Sequence, residues 1–420
     1  MATVVSGRSE SAVSRSALER STDRLTRVSA RVQSIDLLRG AVMMIMAIDH
    51  IRDFLHADSQ LYSPEDLMQA STAMFFTRWI THFCAPNFVF LAGTGAYLSM
   101  RNGKSKAEVA HFLWTRGLWL IVAEMTVVLL GSSFNLTYGY IVWQVMWALG
   151  WSMMALSLLI YLPADVLLAA SLVVIAGHNL LDGLQPEQFG SLAWLWQIIH
   201  VGPSIIQLSS NHTIFVVYPL VPWIAVMAAG FSFGRIYNLD PIRRRRLLVQ
   251  LGAGLTVAFM VIRALNGYGD PDPWSVQPSP LRTLVSFLRT SKYPPSLLYL
   301  LMTLGPSIVI LGLIDDIQVG RQNPLLVFGR VPFFYYVIHW YALHTAALVM
   351  AAVRYGRYDF VFGFPPSMLG PGSVGYPPDW GFSLTTVYVV WVVIIALLYP
   401  VCLWFAGVKA RSRSTLLSYL

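Results

Sequence analysis

The sequence has only two cysteines, Cys84 and Cys402, in 420 residues, and only 12% of its residues are charged. The first scarcity excludes a disulfide framework. Both thiols lie inside apolar segments far apart in the chain and read as small buried hydrophobes. The second excludes an ordinary soluble domain, in which about 25% of residues are charged. Histidine and acid pairs at zinc-ligand spacing are also lacking, so no metal is expected. No internal repeat or low-complexity tract stands out. What is abundant is apolar surface: 56% hydrophobic residues, with 14 Trp, 19 Tyr and 22 Phe to supply belts at two membrane interfaces. The net charge of +8 does not gather into one patch. Its basic residues sit between apolar segments, which argues for a lipid bilayer as partner and against nucleic acid.

Apolar segments of roughly 17–25 residues, the length a bilayer needs, fall near 36–55, 74–99, 109–131, 138–161, 164–180, 213–234, 247–265, 295–314, 331–353 and 384–408. They predict an all-α, polytopic transmembrane helical bundle of about ten spans, eleven at most. Residues 1–33 are Ser- and Arg-rich without an apolar run and read as a disordered basic tail; no secretory cleavage pattern follows them. Residues 34–408 form the transmembrane domain and 409–420 a C-terminal tail. Alternate connections carry Arg101, Lys104 and Lys106, then Arg235 and Arg243–Arg246, then Arg321, then Lys409 and Arg411. The positive-inside rule makes these cytoplasmic and puts both termini there. Arg282, Arg289, Lys292, Arg354 and Arg357 fall on the opposite side, so they break the rule locally or serve a ligand.

The first span ends in a run of charge. Asp49, Arg52, Asp53 and His56 share one helical face by their spacing of 3, 4 and 7, with His50 beside them. Each charge near membrane depth costs on the order of 2.5–3.5 kcal/mol unless paired or hydrated, so such groups usually mark a site. An imidazole beside a carboxylate is a competent general base, because the acid fixes its tautomer and stabilises the imidazolium. The plainer reading is an internal salt-bridge cluster that only holds helices together.

Arg78 and His82 are four residues apart in the second span, where Arg78 suits an acidic partner on the first helix or an anionic group. Pro86, Gly93 and Gly95 there permit a kink and close helix approach. In Phe328–His344, His339 and His344 each follow a tyrosine by one turn or less and do not share a face; one suits a cavity and the other a core hydrogen bond. Arg282, Arg289 and Lys292 flank an apolar span, where they suit a phosphate clamp or simple snorkelling. Gly190–His200 has the character of a short interfacial amphipathic helix.

The segments SIDLLRG, MAIDHIRDFLHA, TRWITHFCAPNFVFLAG, YPLVPWIAVMAAGFSFG, RTSKYPPSLLYLLMTLGP and FGRVPFFYYVIHWYALH resemble bacterial relatives of the heparan-α-glucosaminide N-acetyltransferase catalytic domain, over residues 31 to about 408. That resemblance implies a multi-pass protein of a bacterial plasma membrane that takes acetyl-CoA and passes the acetyl group to a small-molecule or glycan acceptor on the far side. It implies a histidine just beyond the first helix as base, for which His56 is the nearest match and His50 the rival, with Asp49 where animal enzymes carry asparagine. The connection here is shorter than in the lysosomal enzymes, and their extra luminal domain is lacking.

The expected function is therefore an N- or O-acyltransferase. His56, His50, Asp49 and Asp53 are the catalytic candidates; Arg52, Arg78, His82 and His339 stabilise the oxyanion or bind substrate; Arg39, Arg289, Lys292 and Arg330 hold acyl-CoA. Homodimerisation is left open. A proton-coupled transporter using the same charged cluster is the competing class, and a noncatalytic scaffold the third.

Overall fold

The computed structural model describes residues 32–369, 376–412, 414 and 417; nearly all of the expected N-terminal tail lies outside the described residues. The chain is mostly helical. Its main helices are α1 (Gln33–Leu55), α2 (Thr72–Thr81), α3 (Cys84–Arg101), α4 (Lys106–Ala123), α5 (Val145–Leu159), α6 (Ala164–Gly177), α7 (Val221–Phe233), α8 (Pro241–Leu265), α9 (Leu297–Leu313), α10 (Pro324–Arg330), α11 (Pro332–Tyr355) and α12 (Leu384–Arg411). Among the described residues, five helical stretches are long and apolar enough to cross a membrane: Lys106–Ser133, Ala164–Leu181, Pro241–Leu265, Pro332–Tyr355 and Leu384–Arg411. α5 and α9 are apolar but shorter.

α1 is the hub. Buried residues occur all round it, from Ile35 and Leu38 to Phe54 and Leu55, and it packs against α2, α3, α9, α10, α11 and α12. A helix apolar on every side belongs in the middle of a bundle. It ends where the Phe382 amide donates to the Leu55 carbonyl (2.7 Å) and the Ala57 amide donates to Phe382 (3.1 Å). By contrast, α6 and α12 bury few of their side chains inside the protein, as lipid-facing helices would.

Glycine sets the close approach of several helix pairs, most tightly α1 with α10 and α3 with α7. A Cβ on Gly40 of α1 would collide with the Leu325 carbonyl, and one on Gly329 with the Asp36 carbonyl; Gly93 of α3 and Gly230 of α7 stand in the same relation to Met227 and Phe90. Backbones that approach this closely gain van der Waals contact, the main source of helix association in lipid. Gly93→Val is therefore expected to force α3 and α7 apart and to abolish recovery of monodisperse protein on size exclusion. Gly95→Ala, at a position where an added Cβ meets no atom within 4 Å, should leave recovery unchanged.

Three expected spans differ. The second is broken between Thr81 and Cys84 into α2 and α3. The stretches near 138–161 and 213–234 begin as strands: β1 (Tyr140–Trp143) lies parallel to β3 (His212–Val216), which pairs antiparallel with β2 (Ser204–Ser209). Their β-branched and aromatic runs suit a sheet, and Pro219 and Pro222 delay the helix until Val221. The segment Gly190–His200 contains the short helix Ala193–Ile199.

Candidate functional site

Apolar α1 residues up to Ile48 give way to an ion-pair network of six charged side chains. Arg52 Nη2 lies 2.8 Å from Asp49 Oδ1 and 2.7 Å from Asp53 Oδ1. Arg78, delivered by α2, pairs with Asp49 Oδ2 and through Nε with Glu65 Oε1 at 3.0 Å. Lys292 Nζ comes from the loop before α9 to 3.9 Å from Asp49 Oδ2. Three carboxylates thus face three cations, all with side chains less than a quarter exposed. Buried charge persists only when paired in this way. Arg52 keeps Nε and Nη1 buried without a hydrogen-bond partner among the described residues.

This network lines a chamber of about 440 Å³, whose wall includes Asp49, His50, Arg52, Asp53, Arg78 and Lys292. The sheet closes one side through Val142 and Phe215, with Val217 just beyond the last strand. Among the described residues His50 is the one imidazole on this wall. Its ring lies 4.0 Å from that of Trp340 and 5.4 Å from that of His339, and Nδ1 has Asp53 Oδ2 at 3.9 Å. Ring packing holds the imidazole in place, while Nδ1, with Asp53 beyond hydrogen-bond distance, has no hydrogen-bond partner among the described residues.

A second chamber, of about 530 Å³, opens toward the Gln33 end of α1. Its rim carries Arg39, Arg101, Arg116, Arg330 and Lys409, and its walls are apolar. Arg39 also pairs with Asp36 at 3.2 Å. The cations come from α1, α3, α4, α10 and α12, so this basic chamber exists only in the folded bundle.

The other candidates fall elsewhere. His56 is off the wall of the ion-pair chamber: it follows the last turn of α1, is 5% exposed, lies with Nδ1 3.4 Å from Ser59 Oγ, and burial pushes its pKa down. His82 Nε2 donates to Glu65 Oε1 at 3.1 Å. His339 Nδ1 meets the Tyr336 carbonyl, and His344 Nε2 meets the Val361 carbonyl at 2.9 Å. Arg39 and Arg330 share the basic chamber, whereas Lys292 joins Asp49 and the half-buried Arg289 reaches Asp272 at 3.3 Å. Arg354 ties down Asp379 and the Gly381 carbonyl, and Arg357 pairs with Asp359 at 2.6 Å. Among the described residues no group of three or more metal-ligating side chains converges.

Sequence reasoning missed Glu65, because a carboxyl in a polar loop gives no sign that it folds back onto Arg78. Burial raises its pKa, and the His82 hydrogen bond and Arg78 charge outweigh that, holding it well below the usual carboxylate range. A depressed carboxylate contributes stability that is full above its unfolded value of about 4.3 and is lost as pH falls through the folded value. Wild type should thus exceed Glu65→Gln in melting temperature at neutral pH. The gap should persist to about pH 4 and close only below it, as thermal melts across a pH series would show.

These features define a polytopic helical membrane protein with a histidine-bearing, ionised interior chamber and a separate basic one. The family model described as heparan-alpha-glucosaminide N-acetyltransferase, catalytic, matches residues 31–265, more than half the chain, and the protein belongs to that family. Both candidate chambers draw on this stretch through α1 and α3. Membership carries a transmembrane acetyltransferase-like function. The motifs at 289–306 and 328–344 lie beyond the matched region. None of the curated proteins compared with the chain matches it.

Proposed function

We propose that the protein is an integral membrane acyltransferase that moves an acetyl group from acetyl-CoA, held in the basic chamber, to an amine or hydroxyl of a sugar-like acceptor in the ion-pair chamber. The single observation that carries this reading is the abutment of the two chambers: a chamber rimmed by cations meets one whose wall holds His50 between Asp49 and Asp53. In the membrane the bundle has about ten spans with both termini cytoplasmic. The basic chamber faces the cytoplasm, as the positive-inside rule asks, and the setting is a bacterial plasma membrane. Residues 34–408 form the catalytic domain. Phosphates of CoA sit among Arg39, Arg330 and the neighbouring cations, and the pantetheine arm runs inward.

His50 takes the proton as the acceptor nitrogen or oxygen attacks the thioester carbonyl. Arg52, with Nε and Nη1 unpartnered among the described residues, or Arg78 stabilises the oxyanion. The carbon–sulfur bond then breaks, and the thiolate takes the proton from the imidazolium, leaving amide or ester and CoA. Asp53 and Asp49 orient the imidazole and balance its charge.

The reading is tested by ligand-induced stabilisation of the detergent-purified protein. A ligand present at about 100 times its Kd stabilises by about 2.7 kcal/mol. Acetyl-CoA should raise the melting temperature well above any effect of free adenosine nucleotides. The Arg39→Gln, Arg330→Gln double variant should weaken acetyl-CoA binding at least tenfold while leaving maximal turnover within about threefold. No shift at millimolar acetyl-CoA would redirect attention to proton-dependent solute flux in liposomes.

A further inference from the structure

The two chambers share a single wall residue among those described, Phe88 of α3. One face of α3 runs along both. Toward the ion-pair chamber it presents Cys84 and Ala85, and toward the basic chamber Ala92, Gly95, Ala96 and Ser99. The spacing is that of one helical stripe. These small side chains leave room on both sides, between Leu91 and Leu98 on the basic chamber's part of the helix, and at Gly95 an added Cβ would meet no atom within 4 Å. Phe88 is the large ring between them and is itself 9% exposed. The change of chamber happens at the same level on the facing helices. On α1, Met43 lines the basic chamber and Met46 the other; on α5, Met146 lines the basic chamber and Val145 the other. Each chamber also reaches the surface on its own side, through exposed Arg101 and Asn102 in one case and exposed Ser63 and Pro203 in the other.

We infer that the Phe88 ring is the partition of a path that otherwise crosses the protein, closing the membrane and, because it stands where a donor's acyl group passes toward His50, limiting that group to a short chain. The second half rests on the acyltransferase reading; the first does not. Phe88 is a specificity-determining residue, since its ring fills the space that the carbons beyond a two-carbon acyl group would need. The facing thioethers of Met43, Met46 and Met146 are flexible enough to yield to a thin pantetheine arm, whereas a planar aromatic ring has only two side-chain torsions with which to move aside.

The experiment uses the full chain reconstituted into liposomes with a pH-sensitive dye inside, and in parallel measures CoA release from acetyl-, butyryl- and octanoyl-CoA. Wild type should be proton-tight and prefer acetyl- over butyryl-CoA by about 10-fold or more, the discrimination an apolar pocket achieves against added methylenes. Phe88→Ala should leak protons and bring that preference within about twofold. Phe88→Leu should fall between, and covers the case in which the alanine variant does not fold. Phe90→Ala removes an equal ring that packs against Phe233 with centroids 4.8 Å apart and lines neither chamber; it should stay tight. If the Phe88 variants stay tight and keep the wild-type chain-length profile, the partition is wrong. Leaky Phe88 variants in a protein that neither binds nor consumes any acyl-CoA would uphold the partition and sink the acyltransferase reading, along with the acyl-length limit.

Discussion

His50→Ala is expected to lower the rate of acyl transfer by about 10²–10⁴-fold, the range that a positioned general base supplies, while acetyl-CoA affinity stays within a few fold. The reason is geometric. His50 is on the chamber wall, clamped against Trp340 at 4.0 Å with Asp53 at 3.9 Å. His56 lies off that wall against Ser59. The same substitution at His56 should cost less than tenfold. Its effect should be confined to the local turn, where the substitution removes the side-chain contact between His56 Nδ1 and Ser59 Oγ at 3.4 Å. Single-turnover assays with purified protein separate the two. Equal losses from both substitutions would move the base role to His56.

Asp49→Ala should lower stability by about 3–5 kcal/mol, the usual result of removing one member of a buried ionic group. Asp49 faces Arg52, Arg78 and Lys292 at once, so its removal leaves three cations against Asp53 and Glu65. Asp49→Asn keeps the shape and one acceptor, and should cost less. Adding Arg78→Met to Asp49→Ala should recover part of the loss, since replacing a whole buried pair by apolar groups is often near neutral. Chemical denaturation in detergent would measure this coupling. An Asp49→Ala protein as stable as wild type would mean that the network does not hold α1 to α2.

The charged face of α1 was legible because charge at that depth stands out against apolar neighbours. Arg78 opposite Asp49 followed from the same logic. Glu65 and the inward turn of Lys292 were not legible: each sits in a polar or Pro-rich loop, and only the packing of α2 and α9 against α1 brings Glu65 to Arg78 and Lys292 to Asp49. The strands at Tyr140–Trp143 and His212–Val216 were hidden because a short apolar run at the edge of a span has no period that separates strand from helix. Phe88 was hidden for a different reason. One phenylalanine in an apolar helix carries no signal until two cavities are seen to meet at it. The helical bundle itself followed from composition, since a chain this apolar has no other way to satisfy its backbone in lipid.

The most direct measurement is CoA thiol release from acetyl-CoA by the purified protein, with glucosamine as probe acceptor, in wild type and His50→Ala. The account predicts release that rises with glucosamine, yields acetylated product by mass spectrometry, and falls by about 10²-fold or more in the variant. Release that is the same in the two proteins, or acetyl-CoA that neither binds nor turns over, would contradict it.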